Sequence, residues 1–474
     1  MEKSILDLQQ LMEGGKATSR QIVEAYLARI KAYDQAGPKI NAFIALNPKA
    51  LDEADALDRE RREKGSRGAL HGIPIVVKDN YATADMPTTG GSKALEGFQT
   101  GRDAFVVKKL RDKGVVIVGK TNLHELAYGI TSISSMGGQT HNPYDITRNP
   151  GGSSGGTGAA VAASFAVAGI GTDTCGSVRN PSSANNLFGL RGTMGLSSRD
   201  GIIPLSHSQD IGGPLTRTVT DLAIMLDATV GPDPSDPVTQ QSAGRIPRSY
   251  LSTIGDSGLG DITIGVVSSL FGSAPEDEEV ATIVRKAIEN LGVLGANVVD
   301  LTIPDYDAVM RNTSVINAEF KFDLMDFLGR FPLAPVKSLG EILASGKYDP
   351  AVEGVLRRAE MVTERNPQSY QEQLAARANA AEYMLGAMRG ATVLAYPTLR
   401  RKPAVIGQAQ AGSNCQLSAA TGLPAISIPA GFTTDGLPVG LELLGRPFGE
   451  PSLLKIAYAY ERVMQPRKMP PTTP

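Results

Sequence analysis

Two bursts of small residues constrain this chain more than any other feature: GGSSGGTG at 151–158 and GTDTCGSVRN at 171–180. Glycine at such density is costly in chain entropy, so it marks backbone that must take positive φ or press closely against something else. Four uses compete: a phosphate loop, a nucleophile elbow, other serine chemistry, or a flexible turn. A Walker loop needs a lysine directly after its glycines, yet after Lys120 the next lysine is Lys286. GGTG also lacks the GxGxxG spacing and follows Asn149-Pro150 instead of a strand, which speaks against a dinucleotide site.

The elbow pattern GxSxG matches twice, at Ser153 and at Ser154. An α/β-hydrolase, however, needs an acid and then a histidine downstream, and the only histidine beyond Ser154 is His207. His71, His124 and His141 are equally isolated, and no HExxH exists, so zinc hydrolysis has no visible ligands. Ser206–Asp210, SHSQD, suggests a Ser/His/Asp triad, but triads meet in space and rarely as chain neighbours; a turn with satisfied polar side chains explains it better.

What remains is a serine nucleophile whose base is a lysine. A free lysine titrates near 10.4, and lowering it to about 7 requires roughly 4–5 kcal/mol, within reach of burial. Lys78, at the end of the apolar run IPIVV, is the candidate. Read alone it fits a structural ion pair with a carboxylate such as its neighbour Asp79 better than a base.

Periodicity predicts the frame around these residues. Ile22, Val23, Tyr26, Leu27 and Ile30 lie at helical spacing behind a cap at Ser19, and a second helix is expected at 49–64. IPIVV, VVIV, ITIGVV, ANVVDL, TVLAYP, PAISIP and VGLELL read as strands, alternating with helices, which predicts an α/β sheet. The small-residue stretch after Gly158 is expected to be a closely packed central helix. GPDPSDPVTQQSAGRIP is the best linker or excursion, and 352–362 and 369–388 the best cap helices.

The 474 residues are 41% hydrophobic and 20% charged with a net charge of −2, so no basic field exists to hold nucleic acid or an anionic membrane. The N-terminus lacks a signal-peptide core, and the longest apolar run, 159–170, is too short to span a bilayer. With only Cys175 and Cys415, no disulfide framework or metal site is expected, and a cytoplasmic protein is.

Three blocks in order, HGIPIVVKDN around Lys78, GGSSGG around Ser153 and GTDTCGSVRNP around Ser177, closely resemble the motifs of the amidase signature family. The resemblance extends less specifically to GLPAISIPAG and LPVGLELLG near the C-terminus. It implies one domain over 1–474, an α/β/α fold around a large mixed twisted sheet with helices on both sides, and a variable cap at about 250–390. It also implies a Ser–Ser–Lys triad: Ser177 as nucleophile, Ser153 as bridging serine next to a cis peptide bond, Lys78 as base. Thr174, Cys175, Gly176 and Ser177 would turn backbone N–H groups toward the oxyanion, Asp173 and Arg179 would hold that loop, and Ala127 would border the substrate carbonyl. No cofactor or metal is implied. The expected partner is a small amide or carbamate, and the expected state a monomer or homodimer.

The family usually has two glycines before the nucleophile, where this chain has Cys175 and Gly176; GLRGT at 189 likewise replaces GLKPT. The implied activity is hydrolysis of carboxamides, with aryl amides and carbamates, and hence urethanase activity, included. The rivals are the glutaminase subunit of a tRNA-dependent amidotransferase and a non-catalytic scaffold. A glutaminase needs an acid for the glutamine ammonium, and 401–434 holds no Asp or Glu. Tyr306, Phe320, Phe322, Phe327 and Phe331 would suit an aryl pocket if they face the site, and ordinary core if they do not.

Overall fold

The computed structural model describes residues 2–255 and 258–474. Its strands are β1 (Phe43–Leu46), β2 (Pro74–Lys78), β3 (Val116–Thr121), the short pair β4 (Ile133–Ser134) and β5 (Gly138–Gln139), β6 (Ala168–Asp173), β7 (Phe188–Arg191), β8 (Ile211–Thr216), β9 (Thr263–Val266), β10 (Asn297–Asp300), β11 (Val393–Pro397), β12 (Ala425–Phe432) and β13 (Pro438–Leu444). Eleven of them form one mixed sheet in the order β1-β3-β2-β6-β8-β7-β12-β13-β11-β9-β10. Helices cover it, giving the expected α/β/α architecture. Helix Ser19–Tyr33 buries Ile22, Val23, Tyr26 and Ile30, but its cap is Thr18, which exchanges hydrogen bonds with Gln21; Ser19 already lies inside.

β2 runs parallel to both β3 and β6, whereas β6 pairs antiparallel with β8. The C-terminal ends of β2 and β6 therefore open side by side where the sheet changes sense, a place where α/β proteins hold ligands. Lys78 ends β2, and Thr172 and Asp173 end β6.

Residues 159–170 correct the single-helix reading. The helix is only Gly155–Ala162; Ser164 then takes φ 55°, and the chain turns directly into β6. Small side chains hid the boundary because they suit a helix or a buried strand equally. The helix itself lies against backbone: a Cβ on Gly156 would stand 2.3 Å from the Asn122 carbonyl oxygen and 2.6 Å from that of Ala42. Only glycine fits there.

Strands β9 and β10 join the main sheet, so the helical excursion occupies 306–387, less than the 250–390 span expected. Phe320, Phe327 and Phe331 are buried in a cluster that joins Leu324, Leu339 and Leu356 of the excursion to Leu95, Phe98, Leu126 and Ala127 of the body. The Pro-rich passage is pinned: Asp236 pairs with Arg199, and Asp233 accepts from Ser198. Among the described residues no helix is long and apolar enough to cross a membrane.

The cysteines correct a second expectation. Cys175 and Cys415, 240 residues apart in sequence, form a disulfide with a Cα–Cα distance of 5.0 Å. Their spacing gave no hint because the fold alone brings them together, and cysteine usage therefore no longer argues for a reducing compartment.

Candidate active site

Lys78 is fully buried, and its Nζ lies 2.7 Å from Ser153 Oγ and 2.7 Å from Thr172 Oγ1. Asn80 Nδ2 donates to the same threonine hydroxyl at 3.0 Å. The ion pair with Asp79 does not form: Asp79 pairs with Lys120 at 3.0 Å and accepts from the Thr89 N–H. Burial lowers the Lys78 ammonium from 10.5 to about 7, against the opposing pull of Asp210 and Asp173. A lysine so placed is neutral for much of the time near pH 7 and faces hydroxyls, which is what a base needs.

The peptide bond between Gly152 and Ser153 is cis. Ser154 plays a different part from its neighbour. Its hydroxyl bonds the Thr172 main chain, and its N–H donates to the Ser177 carbonyl at 3.2 Å. The two bursts are thus stitched together at Ser154, the residue after Ser153, and Ser177 is 3% exposed.

The loop 173–179 turns around Asp173. Its carboxylate accepts from the N–H groups of Gly176 (2.7 Å) and Val178 (3.1 Å), and pairs with Arg179 (3.1 Å) and Arg191 (3.2 Å). Burial alone would raise this carboxyl, but the two guanidinium charges hold it well below the ordinary range. Arg179 passes on to Glu442, which accepts from Tyr396 at 3.0 Å. Of the four N–H groups expected to face an oxyanion, that of Gly176 is therefore already given to Asp173. Thr174 is held by its side chain to Asp210, and its carbonyl accepts from Gln209. Gly176 takes φ 82°, and a Cβ there would stand 2.8 Å from Asn180 and from Cys415.

Ala127 sits in a tight turn with φ 60°, and the preceding His124 N–H donates to the Ser153 carbonyl at 3.0 Å. His124 is driven down to about 4 by burial, with the Lys78 charge adding to the effect, so it is neutral. Tyr128 stacks edge-on against Phe320 at 5.1 Å, which joins this turn to the cap. Tyr306 lines a cavity of about 600 Å³ with Arg311, Arg400, Ser413 and Gln416, and Phe322 lies under Arg365.

SHSQD forms no triad. Asp210 accepts from Leu205 and Ser206 N–H groups and from Thr174, while His207 lies 2.9 Å from Asp323. His207, Glu319 and Asp323 do bring metal-type donor atoms within 4.8 Å of one another. The Glu319 oxygens, however, already accept from Ser206, Ser208 and Tyr370, which fits a strap from this turn to the cap helix Ile316–Gly329. Sequence reasoning missed Thr172 and Asn80, and the tie from Asp210 to Thr174; the only available signal for the first two was their place within the motif blocks.

The amidase family model matches residues 21–454. The native peptide amidase of Stenotrophomonas maltophilia superposes with a TM-score of 0.91 at 37% identity, over 99% of this chain and 98% of that one. A probable amidase of Arabidopsis thaliana is 34% identical over 99% of this chain and 91% of its own length. A glutamyl-tRNA(Gln) amidotransferase subunit of Myxococcus xanthus is 35% identical, over 97% and 96% respectively. With a match spanning motif blocks, sheet and cap alike, the chain belongs to the amidase family, hydrolases acting on C–N bonds.

Proposed function

We propose that this protein is a stand-alone amidase that hydrolyses carboxamides through an acyl-enzyme on Ser177. The observation that carries the reading is a fully buried lysine with no carboxylate paired to it among the described residues, its amine 2.7 Å from Ser153 Oγ. Neutral Lys78 takes the Ser153 proton while Ser153 takes that of Ser177, whose oxygen attacks the carbonyl carbon. The relay then returns a proton to the leaving nitrogen, which could not depart as an anion; water repeats the cycle on the ester. The N–H groups of Thr174, Cys175 and Ser177 face the developing oxyanion, with Gly176 shaping the loop and Asp173 and Arg179 holding it. Ala127 borders the carbonyl.

A carbamate requires no further residue, since attack uses the same serine and carbon dioxide is lost after deacylation. Aryl amides and urethanes therefore belong to the proposed substrate class, with no metal or cofactor. The similarity to the Myxococcus xanthus protein favours a second reading, a glutaminase working within a complex. Against it, 401–434 supplies no carboxylate of its own.

The test is amine or ammonia release from a primary amide, an anilide, an arylcarbamate and glutamine, with Ser177→Ala as blank. Release from the anilide or carbamate supports the stand-alone hydrolase; release from glutamine alone supports the glutaminase.

A further inference from the structure

The disulfide reaches into the nucleophile loop, and the loop's other attachments show what it does there. Thr174 is tied to Asp210 and Gln209, and Gly176 to Asp173 and, through its carbonyl, to the Asn180 N–H. Among the described residues, no hydrogen bond holds the Cys175 main chain. Its side-chain bond to Cys415 is the attachment that remains. The next residue, Gly176, has a φ of 82°, which side-chain-bearing residues rarely adopt.

The other end of the bond is firmly seated. Asn414 Nδ2 donates to the carbonyls of Leu270 (2.8 Å) and Pro397 (2.7 Å), Gln416 Nε2 donates to Thr313 Oγ1 (2.8 Å), and Arg179 reaches the Cys415 carbonyl at 3.3 Å. A residue without main-chain hydrogen bonds is thus bolted to a firmly seated one. Both cysteines are half-buried, within reach of a small thiol.

We infer that Cys415 is a positioning residue for hydrolysis: its disulfide holds Cys175, and with it the oxyanion-facing N–H groups, so the oxidised chain is the fully active form and reduction lowers turnover. The inference rests on Ser177 being the nucleophile. The step is ordinary exchange. One thiolate of a dithiol attacks a protein sulfur and breaks the S–S bond, and its second thiol closes on the mixed disulfide. The protein gains two electrons and two protons as two thiols, and the dithiol becomes a cyclic disulfide.

The experiment compares the full chain before and after dithiothreitol, and after reoxidation with oxidised glutathione. It reads kcat and KM on one anilide or amide, free thiols and far-UV circular dichroism, with Cys175→Ser/Cys415→Ser and Ser177→Ala alongside. Displacing an oxyanion donor costs rate more than binding, so kcat should fall by about 10- to 100-fold with KM within about threefold and the dichroism unchanged. Reoxidation restores it, and the double variant stays low and ignores the reductant. Two free thiols with kcat unchanged would overturn the inference, as would kcat falling only in step with the dichroism, which marks a bond that merely stabilises. Activity surviving in Ser177→Ala would instead remove the nucleophile, a separable outcome.

Discussion

Lys78 and Lys120 stand on neighbouring strands, each fully buried, and their surroundings differ in kind. Lys120 meets the Asp79 carboxylate at 3.0 Å and the Pro87 carbonyl at 3.0 Å. Lys78 meets two hydroxyls. Burial lowers both ammonium groups, but only Lys120 has a carboxylate in direct contact; at Lys78 the opposing pull of Asp210 and Asp173 comes without an ion pair. One lysine is therefore built into the sheet as half of an ion pair, and the other is left able to give up its proton to water and take one from serine. Burial alone does not make a base; the missing carboxylate does.

Several substitutions test that contrast. Removing the nucleophile has the largest effect: Ser177→Ala should lose about 10⁴- to 10⁶-fold in turnover, measured as amine release, with an unchanged thermal midpoint. Lys78→Met should lose about 10³- to 10⁴-fold. Its stability should move the other way. The unfolded lysine holds its proton up to about 10.4, whereas the folded one releases it at about 7, so between those values the unfolded state binds more protons and stability rises with pH. The gain from Lys78→Met is then greatest below pH about 7, up to about 5 kcal/mol, and shrinks toward pH about 10. Urea denaturation at several pH values measures it.

Lys120→Met sharpens the comparison from the other side. It strands the buried Asp79 carboxylate and should cost about 3–5 kcal/mol in denaturation, and adding Asp79→Asn should recover part of that. Folded Lys120→Met should keep most of its kcat, which would break the contrast if it fell as far as in Lys78→Met. The smallest effect belongs to Thr172→Val. Losing one hydroxyl acceptor disfavours the Lys78 ammonium, so the rising limb of the pH–rate profile should move to lower pH by less than about one pH unit, with kcat down by about tenfold.

Much of this was legible in the chain itself. The strands IPIVV, TVLAYP, PAISIP and VGLELL stand where apolar runs end at turn residues, and the three motif blocks converge on the ends of β2 and β6. β6 was not legible, because AGIGTD follows an unbroken run of small residues that fits helix and strand alike. Nor could the sequence decide between Asp79 and Ser153 as the partner of Lys78. Asp79 is taken by a lysine that only the parallel pairing of β2 with β3 brings alongside. Cys175 and Cys415 were illegible for the same reason: 240 residues separate them, and the closure that joins them belongs to the whole sheet.

The most direct measurement is the pH dependence of kcat/KM on a neutral anilide or amide. A buried lysine acting as base predicts activity rising with pH through a midpoint of about 7 and holding above it. A profile flat through that region, or one that rises only near the ordinary lysine value of about 10.4, would contradict Lys78 as the base.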